Sequence, residues 1–468
     1  MKNSALIFTL LFSSSAFAQW TGAVTDTLTH NSERDEVNHR SLVCDQSNTI
    51  HLIAQRAVGS GGWMILYFMH PPNNPWTPED TVSVGPSQDP ELAISSPDGI
   101  PVIACAENDT TDSEIIVYTK NGTGWTREQV THNPEEDSNP SVAIDKDGFI
   151  HLAWIWEDSS GNYKISYGNN LHGSWNIQTL VNSQLGPFGS GAGPLIALDP
   201  YGIAHIVYRG GNFGTYRIHH AYNDSPGGSN WSYDYPASPN AEDLSSSLVV
   251  TEDSVIHLLV SGNDGWGFPV HAYYFSKSPG AASFSNPVAV ANGFSAETGC
   301  LFIHNNSAAC VLNEVSGNIF TGNIIYSDET SGWIAGRLFN TQDIYNAQLT
   351  MDPNGNGYLA AYQGNTFQTE EIIVYGPDIT TEIMNRPITT ELFSSMDKNG
   401  QLILEFHQAF RGIVQVADIT GKIIWASPLK MNAGEKQFIP SNSFCPGIYF
   451  IIADGAGKKS VQKLILSY

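Results

Sequence analysis

Hydrophobic and polar positions alternate in short runs along most of this chain. Each run spans about four to eight residues, is rich in β-branched and aromatic residues, and ends at Gly, Asn, Asp or Pro. Between residues 140 and 180 four such runs follow one another, from Pro140–Asp145 to Trp175–Leu180. This pattern, with a period of two and turn residues at each end, predicts β-strands joined by hairpins.

The four-run unit recurs roughly every 50 residues up to about residue 377. Its second run opens at His51, Pro101, His151, His205, His257, Ala309 and Tyr358. Its third run carries a ring at Tyr67, Tyr118, Tyr167, His220, Tyr274, Tyr326 and Tyr375. Seven copies of a unit of this length predict a seven-bladed β-propeller with four strands per blade.

The seventh copy lacks its fourth run, and a matching run occurs at the start of the chain. The other fourth runs carry Trp76, Trp125, Trp175, Trp231, Phe284 and Trp333, whereas the seventh copy stops near Gly376. Residues 19–28 resemble the fourth run that begins at Trp125. Because an incomplete blade leaves edge strands exposed, we expect residues of about 19–28 to complete the last blade and close the ring.

The two ends of the chain are predicted to differ from the repeats. Residues 1–18 have a positive start, an apolar stretch and a small-x-small ending, which predicts a secretory signal peptide. Apart from that stretch, no apolar run is long enough for a transmembrane segment. Residues 19–377 form the predicted propeller, and 378–390 a polar linker. Residues 391–468 predict a small immunoglobulin-like β-sandwich, so the whole fold is expected to be all-β.

The C-terminal unit resembles the type A C-terminal sorting domain of the type IX secretion system. An Asp-x-x-Gly-Lys turn, a Gly-x-Tyr strand and a closing basic strand occur in the order of that family, at Asp418, Gly421, Lys422, Gly447, Tyr449, Lys459 and Lys463. The resemblance implies type IX machinery as a partner. It also implies a secreted or surface location in a Gram-negative bacterium. The alternative is an ordinary immunoglobulin-like binding module.

The propeller resembles the BNR-repeat and sialidase-like propellers. The likeness rests on the pattern Pro-x-x-Ala-Ile-Asp-x-x-Gly-x-x-His at 140–151 and on a degenerate Asp-box turn at 121–125 and 328–333. A sialidase would need three arginines to bind the carboxylate of its substrate. The N-terminal Arg-Ile-Pro motif of that family is absent, which disfavours sialidase activity. Four arginines are expected at one face of the ring, namely Arg34, Arg40, Arg56 and Arg209.

Charge and cysteine content narrow the classes of ligand. The formal net charge of −25 disfavours nucleic acid and anionic membranes as partners. Five scattered cysteines show no metal-ligand spacing, so no cofactor is predicted. Turns such as Asp145–Gly148 resemble Ca²⁺ loops but lack the bidentate acid of such loops, so Ca²⁺ is unsupported. The histidines recur at one structural position in several blades, so they cannot converge on a single site. We expect them instead to stabilise the blades by packing and hydrogen bonding.

The loops that enter first strands and leave second strands are rich in acids, and we expect them to form a ligand-binding rim at one end of the ring. The rim candidates are Glu107, Asp137, Glu157, Asp243, Asp264, Glu314 and Asp343. Aromatic residues lie nearby in the sequence at Trp156, Trp266 and Tyr345. Carboxylates beside aromatic rings favour binding of an extracellular glycan, or of a surface partner, as the first functional hypothesis.

The second hypothesis is a carbohydrate-active enzyme, and the sequence leaves open whether the protein is an enzyme. A polysaccharide lyase needs a group that neutralises the uronate carboxylate and a base. Tyr208, Arg209 and His220 are the candidates for that chemistry. A glycoside hydrolase would instead use a pair of the rim carboxylates.

Overall fold

A computed structural model describes most of the propeller and parts of the C-terminal unit. The described residues are 25–29, 31, 33–59, 62–72, 74–83, 86–96, 98–108, 112–185, 193–211, 215–264, 269–304, 306–316, 319–338, 344–352, 357–363, 370–375, 392–396, 402–406, 410–418, 423–432, 435–439, 447–455 and 458–466. The chain divides into one compact unit over Gln19–Thr380 and a second that includes Thr381–Tyr468. The described parts of both units are built from β-strands.

The first four blades are antiparallel sheets that follow one another along the chain. Blade 1 contains β2 (Asp35–Glu36), β3 (Leu42–Cys44), β4 (Ile50–Val58), β5 (Gly62–His70) and β6 (Asp80–Thr81). Blade 2 contains β7 (Ser87–Ile94), β8 (Pro101–Asn108), β9 (Ser113–Asn121) and β10 (Gly124–Gln129). Blade 3 contains β11 (Glu136–Ile144), β12 (Ile150–Glu157), β13 (Tyr163–Asn169) and β14 (Asn176–Leu185). Blade 4 contains β15 (Leu195–Leu198), β16 (Ala204–Gly210), β17 (Arg217–Asn223) and β18 (Trp231–Asp234).

Three further sheets confirm the predicted seven blades. Blade 5 contains β19 (Glu242–Val250), β20 (Ile256–Asn263), β21 (Val270–Lys277) and β22 (Val288–Ala289). Blade 6 contains β23 (Ala296–His304), β24 (Ser307–Ser316), β25 (Ile319–Asp328) and β26 (Gly336–Arg337). Blade 7 contains β27 (Ile344–Met351), β28 (Gly357–Gln363), β29 (Glu371–Tyr375) and, from the start of the chain, β1 (Thr25–Thr27).

The C-terminal unit contains seven described strands in two antiparallel sheets, which agrees with the all-β prediction. One sheet contains β30 (Leu392–Met396), β31 (Leu402–Phe406) and β34 (Lys436–Ile439). The other contains β32 (Phe410–Asp418), β33 (Ile423–Met431), β35 (Gly447–Gly455) and β36 (Lys458–Leu466).

Apolar side chains of the propeller are buried mainly between neighbouring blades. Leu152 and Trp154 of blade 3, for example, lie in one buried cluster with Ala104 and Val117 of blade 2. A comparable cluster joins blade 1 to blade 7, where Leu52 lies with Tyr358 and Ile372. Because both faces of a blade are covered in this way, the second strands read as nearly continuous apolar runs.

The segment of residues 25–29 closes the ring, as the sequence predicted. In β1, Thr25 pairs with Tyr375 and Thr27 with Ile373, in antiparallel register. Leu28 donates its N–H to Ile372 O at 2.8 Å, and Thr29 Oγ1 accepts the N–H of Ile372 at 2.9 Å. Blade 1 has the equivalent pair of bonds: Val82 donates its N–H to Ile65 O, and Ser83 Oγ accepts the N–H of Ile65. The segment therefore makes the contacts of a true fourth strand, while residues 19–24 lie outside the described residues.

The first strands of consecutive blades also contact each other around a central channel, and β27 contacts β3 to complete the circle. Five of these strands carry a register shift or bulge, namely β7, β11, β19, β23 and β27. A bulge bends its strand and redirects its side chains. Glu91, Ser141, Cys300 and Gln348 stand just after their bulges, and Ser247, two residues beyond the end of the β19 bulge, occupies the equivalent position of blade 5.

Each of these five side chains accepts a backbone N–H from the next blade. The bonds are Val142 N to Glu91 Oε2 at 3.2 Å, Ile196 N to Ser141 Oγ at 3.0 Å, Leu301 N to Ser247 Oγ at 3.0 Å, Leu349 N to Cys300 Sγ at 3.2 Å and Arg40 N to Gln348 Oε1 at 3.1 Å. Blade 1 uses its backbone, since Leu92 donates its N–H to Arg40 O at 3.2 Å. Blade 4 has the apolar Leu195 at this position and cannot offer the same acceptor.

The Arg40 guanidinium bridges the junction at which that acceptor is missing. It donates to Leu248 O of blade 5 at 2.9 Å and to Ile196 O of blade 4. It also contacts Ser141 Oγ at 3.4 Å and lies 3.9 Å from Glu91 Oε2. One side chain from blade 1 therefore spans the channel and contacts blades 2, 3, 4 and 5.

We predict that Thr29→Ala lowers the free energy of unfolding by about 1 kcal/mol, because the Ile372 N–H loses its acceptor. Thr29→Ser retains the hydroxyl and should stay close to wild type. Thr126→Ala, at an exposed position of β10, is the matched control. Urea unfolding of the full chain measures all three, and equal stability of the Ala variant and wild type would contradict the role of this segment.

We predict that Arg40→Met costs about 3 kcal/mol, because it leaves the buried Glu91 carboxylate without its cation. Arg40→Lys should cost less. Lys146→Met, which removes a side chain that is 70% exposed, should have almost no effect.

The loss in Arg40→Met should depend on pH. Burial raises the pKa of Glu91 and Arg40 opposes this shift, so removing Arg40 raises that pKa further. When a carboxyl has a higher pKa in the folded state than in the unfolded state, the protein loses stability as the pH rises above the unfolded-state pKa. Urea unfolding should therefore show a larger deficit at pH 8 than at pH 5, and a larger deficit at pH 5 would refute the pairing.

Candidate functional site

The acidic loops lie at one end of the ring, which we call the rim end. There the first strands begin and the second strands finish, as the pairings of Ser87 with Glu107, Asp137 with Trp156 and Ala296 with Glu314 show. Glu157 and Asp243 occupy equivalent strand ends, and Asp264 directly follows β20. Asp343 lies outside the described residues.

Glu107 and Glu314 are buried and bonded within their own blades. Glu107 lies 2.9 Å from the Arg127 guanidinium and accepts the Tyr118 hydroxyl at 2.5 Å. Glu314 accepts Arg337 Nη2 at 2.6 Å and Asn323 Nδ2 at 2.7 Å. These two carboxylates therefore tie the second strand of a blade to its third and fourth strands.

Asp137 and Asp243 are also buried, at equivalent positions of blades 3 and 5. Asp137 accepts Trp154 Nε1 at 2.7 Å and Asn133 Nδ2 at 2.8 Å. Burial nevertheless raises its pKa to about 6. Asp243 accepts the backbone N–H of Ile218 in the preceding blade at 3.1 Å, and burial raises its pKa as well. Both acids stabilise the loops of the rim end from inside.

Other rim candidates reach solvent. Glu157 is half-buried beside Trp156, over whose ring the Lys164 ammonium lies at 4.5 Å from the centroid. The Asp264 side chain is 63% exposed. The half-buried Tyr345 ring is stacked on Tyr362 at 5.5 Å between centroids, whereas Trp266 lies outside the described residues. The solvent-facing part of the rim is thus a mixture of aromatic rings and carboxylates.

The mouth of the channel carries polar residues that the sequence reasoning missed. Asp89, Asn139 and Asn346 sit at the bulges with φ near +50° (50°, 49° and 49°), a conformation that Asp and Asn tolerate better than most residues. Asp89 contacts the backbone of Asn139, and burial raises the pKa of its carboxyl. The dipeptides Asp89-Pro90 and Asn139-Pro140 are a sequence signal that could have indicated an unusual backbone here.

The arginines expected at one face of the ring have different positions and partners. Arg34 binds Glu370 at 2.7 Å and Arg56 binds Asp35 at 2.7 Å, both at the rim end. Arg40 lies inside the channel. The Arg209 guanidinium stacks over Tyr216 at 4.4 Å and donates to Leu244 O at 3.3 Å.

The structure does not bring Tyr208, Arg209 and His220 together as one set. Residues that alternate along β16 point to opposite faces, so Tyr208 stacks on His219 at 5.4 Å on the face away from Arg209. His220 is fully buried, 3.1 Å from His205 and 2.6 Å from Asp234, which also binds the Lys277 ammonium. A catalytic role for the three stays a prediction.

The recurring histidines have the blade-building role expected of them. His51 Nδ1 lies 2.6 Å from the Tyr67 hydroxyl, His151 Nδ1 lies 2.7 Å from the Tyr167 hydroxyl, and His257 Nδ1 lies 2.6 Å from the Tyr274 hydroxyl. Asp145 Oδ1 likewise caps its own turn, accepting the N–H of Asp147 at 2.9 Å and of Phe149 at 2.8 Å.

The described part of the chain contains neither a metal-binding cluster nor a membrane-spanning helix. Within those residues, no group of three or more His, Cys, Asp and Glu side chains is placed to hold a metal ion. Cys44, Cys105, Cys300 and Cys310 are free thiols. Over the same residues, no helix is both long and apolar enough to cross a membrane.

The sorting-motif residues lie on adjacent strands of the C-terminal unit. Asp418 ends β32 with Tyr449 as its backbone partner, and Gly447 begins β35. Lys459 and Lys463 lie on β36 opposite residues 454 and 450 of β35. Gly421 and Lys422 lie outside the described residues.

The chain is similar to several solved structures, and the first of the three that follow, with a TM-score of 0.50, supports the fold. A fungal alcohol oxidase of the AA5 family, in complex with copper, has 10% identity and a TM-score of 0.50 over 95% of this chain and 100% of that one. A Hadza microbial sialidase has 11% identity and a TM-score of 0.42, covering 63% of this chain and 64% of that one. A polysaccharide lyase has 12% identity and a TM-score of 0.46, covering 73% and 90%. Such low identities show at most a shared fold.

Comparison with known sequences identifies the C-terminal unit. No curated protein matches the chain. Residues 398–467 match the family described as the secretion system C-terminal sorting domain. The chain is therefore a seven-bladed β-propeller joined to a type IX secretion sorting domain, which makes it a secreted or cell-surface protein.

Proposed function

We propose that the propeller binds a neutral extracellular glycan at its rim end after export by the type IX machinery. The observation that carries this proposal is the pairing of arginines with carboxylates at that end. Arg34, Arg56, Arg127 and Arg337 are all ion-paired, to Glu370, Asp35, Glu107 and Glu314 respectively. A sialic acid or uronate would have to displace these partners, whereas a neutral sugar would not.

The solvent-facing groups of the rim suit a sugar ring. Trp156 and Tyr345 are half-buried, and the part of each ring that reaches solvent can pack against the C–H face of a pyranose. The carboxylates of Glu157 and Asp264 accept hydrogen bonds only, and sugar hydroxyls are good donors to them. The formal net charge of −25 adds a general repulsion of polyanions.

A carbohydrate-active enzyme is the second candidate function, and one observation favours it. Burial raises the pKa of the Glu297 carboxyl, while a hydrogen bond from Ser245 and the charge of Arg209 lower it. A buried carboxyl with a raised pKa can donate a proton at a glycosidic bond. In this reading Glu297 and Arg209 would act at the channel mouth.

We predict that the full chain binds neutral oligosaccharides on a glycan array and not sialylated or uronate-containing ones. Glu157→Gln and Trp156→Ala should each weaken binding by about fivefold, which corresponds to about 1 kcal/mol. Tyr201→Ala is the matched control, because this residue is 75% exposed at the opposite end of the ring. Binding restricted to anionic glycans, or unchanged binding by both rim variants, would overturn the proposal.

A reducing-end release assay on the same preparation separates binding from catalysis. We predict that His220→Tyr, which restores the ring type of the other blades, leaves glycan binding and any glycan cleavage unchanged. It should also reduce the loss of stability below pH 6.5, because burial lowers the pKa of His220 and a buried neutral histidine destabilises the fold as pH falls. Cleavage by wild type that His220→Tyr abolishes would instead establish a catalytic histidine.

A further inference from the structure

A cavity of about 430 Å³ lies away from the central channel, where blade 5 connects to blade 6. Its lining includes Pro269, His271, Tyr273, Asn292, Gly293 and Phe294. These residues belong to the start of β21 and to the connection from β22 to β23, both of which lie at the rim end. The volume falls in the range of about 300–1,000 Å³ that small-molecule sites occupy.

One side of this cavity offers groups that exchange hydrogen bonds. His271 and Tyr273 are two residues apart on β21 and therefore lie on the same face of the sheet. His271 Nε2 is 3.4 Å from Asp264 Oδ2. The ring centroids of His271 and Tyr273 are 6.4 Å apart. Asn292 is exposed and adds an amide to the lining.

The other side is apolar and is held in place by the core. Phe294 packs against the buried cluster that joins blades 5 and 6. The Arg337 guanidinium lies 5.7 Å from the Phe294 ring and is itself ion-paired to Glu314. Gly293, with φ +86°, has open space where a Cβ would stand, so no side chain at this position fills the cavity.

We propose that this cavity binds one pyranose ring of a neutral glycan chain, as a subsite in addition to the rim residues Trp156, Glu157 and Tyr345; the inference rests on the function proposed above. Aromatic side chains beside an imidazole, an amide and a carboxylate match a molecule that has C–H faces and hydroxyl edges. The nearby carboxylate of Asp264 repels an anionic ligand, and Arg337, which lies over the Phe294 ring, is bound by Glu314. A second subsite at the rim end selects for chain length, because a glycan that spans both sites gains contacts that a short one lacks.

The test is titration calorimetry of the full chain with cello-, xylo-, manno- and malto-oligosaccharides of increasing length, on wild type and cavity variants. His271→Ala removes a polar wall, and Asn292→Trp fills the cavity from an exposed position. His172→Ala, an exposed histidine at the opposite end of the ring, is the matched control. Wild type should bind longer oligosaccharides more tightly than disaccharides. Both cavity variants should lose about tenfold in affinity for the longer ones, which is about 1.4 kcal/mol.

The outcomes separate the two proposals. If wild type binds a probe and both cavity variants bind all lengths as tightly as wild type, the cavity is not a subsite and the rim proposal stands. If wild type binds none of the neutral probes, the rim proposal fails and this inference fails with it. Urea unfolding of each variant shows whether a lost affinity reflects a lost fold, and Asn292→Trp, at an exposed position, is expected to fold like wild type.

Discussion

The propeller depends on hydrogen bonds that pass from one blade to the next around the central channel. At five junctions a side chain of one first strand accepts a backbone N–H of the following blade, and a backbone carbonyl does so at a sixth. Blade 4 has Leu195 in place of such an acceptor, and Arg40 reaches across the channel to bond blades 4 and 5. Because each bond requires its neighbour in place, the ring is stable as a closed object and the N-terminal strand completes it.

This construction determines which side chains are presented to solvent at the rim end. Buried acids such as Asp137 and Glu314 hold strands and loops together, so they set the shape of that end. The residues left to meet solvent, Glu157, Trp156 and Asp264 among them, are then presented by a rigid scaffold. Rigid presentation lowers the entropy lost on binding and suits recognition of a flexible glycan chain.

The period of the sequence was enough to predict the blades, their order and the strand that closes them, because alternation and turn residues report on the backbone directly. Side-chain pairing was beyond its reach. Nothing local marks the Arg40 side chain as one that contacts four other blades. Glu107 and Glu157 both end second strands, although one is buried against Arg127 and the other is half-buried. His220 occupies a tyrosine position of the repeat, and its sequence did not reveal the contacts with His205 and Asp234 that the structure shows. The cavity beside Phe294 forms only when two blades meet.

The most direct test of the closed ring is amide hydrogen exchange of the full chain, resolved to single residues. If the ring is closed, we expect the N–H groups of Leu28 and Ile372 to exchange as slowly as those of Val82 and Ile65, their counterparts in blade 1. Fast exchange at Leu28 and Ile372, with slow exchange at the blade 1 pair, would mean that the N-terminal segment does not close the ring.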